Sequence, residues 1–218
     1  MKQATHKSIS VMLVDDHPVV RDGYRHLLET EPDISVVAEA SSGEICCCEY
    51  KKYLPNVLVL DLSMPGIGGL ETMRRVKAYD PNAHILVFSM HASEAVISHA
   101  LQAGATGYLA KQSGIGQMVK AVREVAQGVR FIDAKYASGA SNGVSDSSPG
   151  DPLHALSPRE FQVFKLIAEG HSVSDIASVL SISPKTAGVH HTNIMKKLGL
   201  NNTSQIVRLA IRCNVIEP

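Results

Sequence analysis

No stretch of the 218 residues approaches the ~18–20 consecutive apolar residues that a membrane-spanning helix needs. The opening Met1-Lys2-Gln3-Ala4-Thr5-His6-Lys7 is polar and lacks the apolar core of a signal peptide, so no membrane association and a cytoplasmic location are expected. Cysteine is scarce, with four in the chain, three of them consecutive at Cys46, Cys47 and Cys48. In a reducing compartment they are thiols rather than bridges. Successive residues on a helix point about 100° apart, a poor arrangement for chelation, so they read as small core fillers with one exposed thiol. No internal repeat is visible, and no G-x-G-x-x-G opens a helix after the first apolar run, which excludes a dinucleotide fingerprint. Gly66, Gly68 and Gly69 instead follow the third strand and read as turn chemistry. Net charge is also missing, with 21 basic and 21 acidic residues, but the balance is uneven. From Leu153 onward seven Lys/Arg face four acids, +3, which leaves −3 for residues 1–152. Two jobs are implied, and the basic part is the one to test against nucleic acid.

What the chain does have is alternation. Val57-Leu58-Val59-Leu60, bounded by Pro55-Asn56 and Pro65-Gly66, reads as a short strand buried on both faces of a parallel sheet, with Asp61 at its C-terminal end. Ile9 to Val14 is a similar strand that ends in Asp15-Asp16. Between and after them the spacing predicts helices over His17–Glu29 and Glu44–Leu54, the latter with Cys47, Tyr50 and Leu54 inward. A strand is expected at Ile34–Ala38. Another runs from Ile85 to Phe88 and ends at Ser89, and a short one covers Gly107–Ala110 before Lys111. Helices follow Gly69, span Ser93–Gln102, and close the series at Ile115–Val125. Five alternations of strand and helix point to a doubly wound, five-stranded parallel sheet with right-handed crossovers.

The pattern then stops. Residues 138–152, rich in Gly, Ser, Asp and Pro, can bury almost nothing and read as a flexible linker. The chain thus divides into a first domain at 8–130, a linker at 131–152 and a second domain at 153–218. That last segment is helical by its caps. Ser157-Pro158-Arg159-Glu160 is a capping box with proline at the first helical position. Ser172 starts a second helix, Ser183-Pro184 caps a third that runs to Leu198-Gly199, and a fourth begins near Thr203. A short helix, a tight turn and a longer helix with a polar outer face form a helix-turn-helix.

If the first and third strands are neighbours, Asp15, Asp16 and Asp61 meet at one sheet edge, where open α/β sheets place their chemistry. Three carboxylates repel one another unless a cation intervenes. Lys111 can supply one, and Mg²⁺, typically held by one or two carboxylates with waters and phosphate oxygens, is the other. Ser89 adds a hydroxyl. Such a set suits phosphoryl transfer, which is mostly positioning and charge neutralisation, and an aspartate can itself be the nucleophile. His17, beside the acidic pair, reads as a surface histidine at a helix start, since Mg²⁺ prefers oxygen.

Val14-Asp15-Asp16-His17, Leu60-Asp61-Leu62-Ser63-Met64-Pro65-Gly66, Phe88-Ser89 and Gly107-Tyr108-Leu109-Ala110-Lys111 resemble the receiver domain of two-component response regulators, which has a flavodoxin-like fold. Leu156-Ser157-Pro158-Arg159-Glu160, Ile182-Ser183-Pro184-Lys185-Thr186 and Lys197-Leu198-Gly199-Leu200 are similar to the LuxR-type helix-turn-helix. Together they resemble the NarL/FixJ family over nearly the whole chain outside the linker. The resemblance implies that Asp61 accepts a phosphoryl group from a phosphohistidine on a sensor histidine kinase. Asp15, Asp16, Asp61 and the backbone carbonyl of Ser63 would hold Mg²⁺, and Lys111 would pair with the phosphoryl oxygens. Ser89 and Tyr108 would rearrange as the switch. It further implies a transcription regulator that binds double-stranded DNA as a homodimer on two half-sites about one helical turn apart.

On the third helix of the small domain, Ala187, His190 or His191, Ile194 and Leu198 form an inward seam. The candidate DNA contacts lie outward: Lys185, Lys196 and Lys197 to phosphates, and Thr186, Val189, Thr192 and Asn193 toward the major groove. Here the chain departs from the family pattern. A frequent basic residue is Gly188, a frequent Asn-Lys-Glu is Val173-Ser174-Asp175, and a frequent arginine is Thr203. Fewer cations release fewer counterions, so a weaker and less salt-steep DNA affinity is expected. The alternative output is a protein–protein contact made by the same domain. An aspartate-nucleophile phosphatase is disfavoured, because Ser63 stands where such enzymes carry a second aspartate. The receiver is expected to catalyse only its own phosphorylation and dephosphorylation.

Overall fold

A computed structural model describes residues 8–91, 93–133, 135–136 and 152–216, so most of the span read as a linker lies outside the described residues. The chain divides into two compact units, one of residues 8–90 and 104–133, the other of 91–103 and 135–216.

The first unit is a parallel sheet built from β1 (Ile9–Val14), β2 (Ile34–Ala40), β3 (Val57–Leu60), β4 (Ile85–Ser89), β5 (Gly107–Ala110) and β6 (Phe131–Ile132). Their order across the sheet is β2-β1-β3-β4-β5-β6. Five strands are expected from the sequence and six are present among the described residues. The additional strand pairs Gly107 with Phe131 and Tyr108 with Ile132, which takes the first two residues of the span drawn as a linker into the sheet. The helices of this unit are α1 (Pro18–Glu29), α2 (Gly43–Tyr53), α3 (Gly68–Tyr79) and α5 (Ile115–Ala126); α4 (Glu94–Gln102) is counted with the second unit. β1 and β3 are adjacent, paired Val11 to Val57 through Val14 to Leu60. The chain therefore reverses its direction across the sheet between them, and the crevice at their C-terminal ends is the topological switch point.

β3, β4 and β5 are buried at every residue, as expected of strands covered on both faces. On one face Leu13, Val59, Phe88 and Leu109 pack with Leu28 of α1 and with Met118, Val122 and Val125 of α5. Burying side chains of this size contributes about 1.5–3 kcal/mol each. The inner face of α2 differs from the expected one. Gly43, Cys46 and Tyr50 are buried, whereas Cys47 is half-buried and Leu54 is exposed. The helix begins at Gly43, which fixes a phase of 43, 46 and 50. Leu54 caps its C-terminus with φ at 42°, a left-handed conformation that turns the chain away before its side chain can join the core.

In the second unit, a 3₁₀ turn (Pro152–Ala155) precedes α6 (Pro158–Ala168), α7 (Val173–Val179), α8 (Pro184–Leu198) and α9 (Thr203–Arg212). Ser157 and Glu160 form the capping box expected at α6, and Ser172 with Asp175 forms another at α7. Ser183 accepts the N–H of Thr186 at the start of α8, and Gly199 ends that helix at φ 63°. The caps, rather than helix propensity, set where these short helices begin. Within this unit His99 of α4 is buried, stacks on Phe161 of α6 at 4.1 Å between ring centres, and pairs its Nε2 with the Leu153 carbonyl at 3.1 Å. No helix among the described residues is long and apolar enough to cross a membrane.

Candidate functional site: an acidic cup and a helix-turn-helix face

The cup is made by strand ends. The amide of Asp61 donates to the Val14 carbonyl at 2.9 Å and that of Asp15 to the Ala40 carbonyl at 3.1 Å, so each ladder carries one bond past its strand. These bonds fix the backbones of both aspartates at the switch point. The amide of Lys111 donates to the Ser89 carbonyl at 2.9 Å, which ties β5's exit to β4's end. Asp15 and Asp61 are buried, Asp16 is half-buried, and the side chain of Lys111 is 8% exposed.

Lys111 sits between the two buried carboxylates. Its Nζ lies 2.5 Å from Asp15 Oδ2 and 2.8 Å from Asp61 Oδ2. Burial works against the ammonium, but Asp61 and Asp15 outweigh it, and Lys111 titrates above the ordinary lysine range. The other oxygen of each carboxylate has its own partner. Asp61 Oδ1 accepts the Ser63 amide at 3.1 Å, and Asp15 Oδ1 accepts the His17 amide at 2.9 Å. Three carboxylates face one ammonium, an excess of two formal negative charges. Ligand atoms from Asp15, Asp16, His17 and Asp61 all fall within 4.8 Å of one another. Asp16 Oδ1 is buried with no hydrogen-bond partner among the described residues. Hard oxygens, excess negative charge and an unsatisfied carboxylate oxygen fit a divalent cation.

Ser89 ends β4 and is fully buried, as is Tyr108, which lies opposite Val87 in the β4–β5 register. Ser63 is half-buried in the loop after β3, and its Oγ has no hydrogen-bond partner among the described residues. Asp15, Asp16, Asp61 and Lys111 are therefore brought together, with Ser63 and Ser89 on the adjoining loop and strand end.

Several supporting residues escaped the sequence reading. Arg21 donates from Nη1 to the Asp15 carbonyl at 2.7 Å and from Nε to Glu39 Oε2 at 2.9 Å, bracing the β1 exit from α1. Its place one turn after the acidic pair was the available signal. Glu44 accepts the Ile67 amide at 3.1 Å and so holds the β3–α3 loop from α2, 23 residues away, for which the sequence offers no signal. Gly69 packs directly on the peptide after Asp61, where a Cβ would lie 2.1 Å from the Asp61 carbonyl oxygen. His17, expected to be a plain surface residue, is exposed but turns its ring onto the acidic pair, 3.2 Å from Asp15 Oδ1 and 3.1 Å from Asp16 Oδ1.

On α8, Ala187 and Ile194 are buried, and His190, His191 and Leu198 are half-buried, along the expected seam. Lys185, Thr186, Val189, Thr192, Asn193, Lys196 and Lys197 are all exposed. Three of them are already engaged, Thr186 through its hydroxyl with Ser183 Oγ at 2.8 Å. Lys197 Nζ pairs with Glu160 Oε2 at 2.7 Å, and the Thr192 hydroxyl donates to the Gly188 carbonyl at 3.0 Å. The Lys197 ammonium thus serves α6, and Thr192 offers its methyl outward more readily than its hydroxyl.

Residues 11–123 match the family described as "Response regulator receiver domain", and residues 154–210 match "Bacterial regulatory proteins, luxR family". The oxygen regulatory protein NreC of Staphylococcus epidermidis is 36% identical over 217 residues, spanning 96% of this chain and all of that protein. Response regulator UvrY of Escherichia coli is 36% identical over 210 residues, 94% of this chain and 96% of its own. Among solved structures, RcsB from Salmonella enterica serovar Typhimurium, bound to promoter rprA in the presence of the phosphomimetic BeF3−, is 28% identical. It covers 93% of this chain and 98% of its own at a TM-score of 0.73. An acidic cup with its lysine on one sheet edge, a capped helix-turn-helix, and two family matches in that order lead to one assignment: the chain belongs to the two-component response regulators that join a receiver domain to a LuxR-type helix-turn-helix.

Proposed function

We propose that this chain is a phosphorylation-controlled transcription regulator whose receiver takes a phosphoryl group on Asp61 and whose helix-turn-helix binds double-stranded DNA. The observation that carries the reading is Lys111 Nζ held between Asp15 and Asp61 at the switch point. An Asp61 carboxylate oxygen attacks the phosphorus of a sensor kinase's phosphohistidine. The new O–P bond forms as the P–N bond breaks, and the bonding pair leaves with the imidazole. Lys111, already on Asp61 Oδ2, is placed to follow the charge onto the phosphoryl oxygens. Ser89 supplies an O–H donor from the neighbouring strand end, and Tyr108 follows it as the buried part of the switch. Asp15, Asp16, Asp61 and the Ser63 carbonyl would hold Mg²⁺, which supplies charge neutralisation at the phosphoryl group when bound. Loss of the phosphoryl group is the receiver's own hydrolysis, and no external phosphoester is a substrate.

The receiver runs from residue 8 through β6 and the helix-turn-helix from 153 to 218, and the protein works in the cytoplasm. RcsB is solved on promoter DNA and as dimers bound to DNA, which supports a homodimer on two half-sites for this chain. Lys185 and Lys196 are the phosphate contacts, with Lys197 joining if it leaves Glu160. Thr186, Val189, Thr192 and Asn193 face the groove. Acetyl phosphate with Mg²⁺, given to the wild type and to Asp61→Asn, tests the receiver half. An equal response of the two removes Asp61 from the mechanism. Selection of bound sequences from random DNA, with and without phosphorylation, tests the output. A second reading, in which the small domain binds a protein instead, rests on exposed Ser174 and Thr203, on Gly188 in the presenting helix, and on the engagement of Lys197. Genomic footprinting with no enriched sites would favour it.

A further inference from the structure

His17 stands at the N-cap of α1 but makes no side-chain cap bond. Its imidazole, 65% exposed, instead lies over the mouth of the cup with Nδ1 3.2 Å from Asp15 Oδ1 and 3.1 Å from Asp16 Oδ1. We propose that His17 Nδ1 is a fourth side-chain ligand of the acidic cup, so that the site takes a borderline transition-metal dication of the cobalt–nickel–zinc class as well as Mg²⁺. The inference rests on the reading of the cup as a metal site.

Three features support it. The first is spacing. Neighbouring ligands of an octahedral ion with bonds of about 2.1 Å lie roughly 3 Å apart, and His17 Nδ1 already stands 3.2 Å from Asp15 Oδ1 and 3.1 Å from Asp16 Oδ1. The second is the division of Asp15. Its Oδ1 faces His17 while its Oδ2 holds Lys111, so an ion on the Oδ1 side need not displace the ammonium. The third is donor chemistry. Asp16 Oδ1 is buried without a hydrogen bond among the described residues, and a neutral imidazole adds a donor without adding charge. Imidazole nitrogen favours cobalt, nickel and zinc, whereas Mg²⁺ takes oxygen. The exposed ring leaves Nε2 free to bond water, the partner that orients a ligating imidazole.

The competing description is a ring that only donates a hydrogen bond to Asp15 Oδ1 while lying beside Asp16. Untagged full-length protein distinguishes the two. Co²⁺ alone and Mg²⁺ alone are titrated calorimetrically into wild type, His17→Ala and Asp15→Asn, and proton NMR of the Co²⁺ form locates any paramagnetically shifted ring N–H. His17→Ala is expected to leave Mg²⁺ affinity within about twofold. It lowers Co²⁺ affinity roughly tenfold or more, and the shifted ring N–H of the wild type disappears. Asp15→Asn weakens both ions. If Co²⁺ affinity falls no further than Mg²⁺ affinity, or if the wild type shows no such N–H, the imidazole is not a ligand and the cup reading stands. If the wild type binds neither ion, the cup is not a metal site, and the inference falls with that reading.

Discussion

Gly69→Ala should disable the phospho-acceptor without touching any charged group. Gly69 lies in the first turn of α3, and its amide donates to the Leu62 carbonyl at 3.3 Å. A Cβ built there would meet the Asp61 oxygen at 2.1 Å, the Leu62 Cα at 2.6 Å and the Asp61 carbonyl carbon at 2.9 Å. All three are backbone atoms, so no rotamer change relieves the clash. Ordinary carbon–oxygen contact needs about 3.3 Å, so either α3 or the Asp61 peptide must retreat by roughly 1 Å. Moving the helix opens its packing on the sheet, where Leu70, Met73 and Val76 are buried. Moving the peptide takes the Asp61 carboxylate away from Lys111. Overpacking of this kind costs about 1–3 kcal/mol. With only backbone to yield, the upper end is expected, a fall in melting temperature of roughly 10 °C for a domain of this size. The chemistry suffers separately, since a 1 Å misplacement of a reacting group can lower a rate about 100-fold.

Gly68→Ala is the control. Nothing lies within 4 Å of its would-be Cβ, although its φ of +67° makes alanine strained. It should cost about 1–2 kcal/mol while phosphorylation from acetyl phosphate keeps its rate within a few-fold. Calorimetry and phosphorylation time courses on both variants separate strain from displacement. A Gly69→Ala protein that melts like the wild type and phosphorylates at the wild-type rate would refute the claim that α3 is seated on the acceptor peptide.

Lys111→Met leaves Asp15 and Asp61 facing each other unpaired, at about 3–5 kcal/mol in a chelator. Mg²⁺ should recover much of that, so the metal raises the melting temperature of the variant more than that of the wild type; equal rises would contradict it. Glu160→Gln keeps the capping box on Ser157 but loses the charge that Lys197 holds. Burial alone would raise the Glu160 pKa, but Lys197 and the Ser157 bonds win, and it lies below the ordinary carboxylate range. A depressed carboxylate contributes stability above its unfolded pKa of about 4.3 that is lost as pH falls through its folded value. The variant should therefore be about 1–2 kcal/mol less stable at pH 7, with the gap closing in acid titrations of the melt. Gly188 has open space around its would-be Cβ, so Gly188→Ala should stabilise α8 by up to about 1 kcal/mol. Gly188→Lys should steepen the log–log salt dependence of DNA binding by about one unit. An unchanged slope would place Gly188 off the phosphate backbone.

The cup was legible because its chemistry sits at strand ends. Once Ile9–Val14 and Val57–Leu60 are read as buried strands, doubly wound topology alone brings Asp15, Asp16 and Asp61 to one edge. The helix-turn-helix was legible through its caps, since Ser157, Ser172 and Ser183 fix helix starts locally. The missing strand is a different matter. Phe131-Ile132 is two residues long, too short for any period, and only its pairing with β5 makes it a strand. The other omissions are pairings between distant residues that no local pattern encodes. Glu160 meets Lys197 37 residues on, and Arg123 bridges Glu31 and Asp33 from about 90 residues away. His17 lay in plain view, but its neighbours suggest a helix start, and the ring's turn toward the carboxylates is a rotamer choice.

On the function proposed above, the charge on the cup would link the metal to the switch. Three carboxylates and Lys111 carry an excess of two negative charges, which one divalent cation would cancel. Phosphorylation replaces the single charge of Asp61 with about two on the phosphoryl group, so the excess grows to about three and the ion is held harder. Binding linkage is reciprocal, and a phosphoryl group that tightens the ion must itself be stabilised by the ion to the same factor. Lys111 can follow the charge onto the phosphoryl oxygens, but its single positive charge is already counted in that sum, so the added negative charge is left to the ion. Titrating Mg²⁺ against the protein with and without a stable phosphoryl mimic on Asp61 should therefore show tighter binding with the mimic. Equal affinities would mean that the added charge is neutralised by Lys111 alone, and that metal and switch are independent.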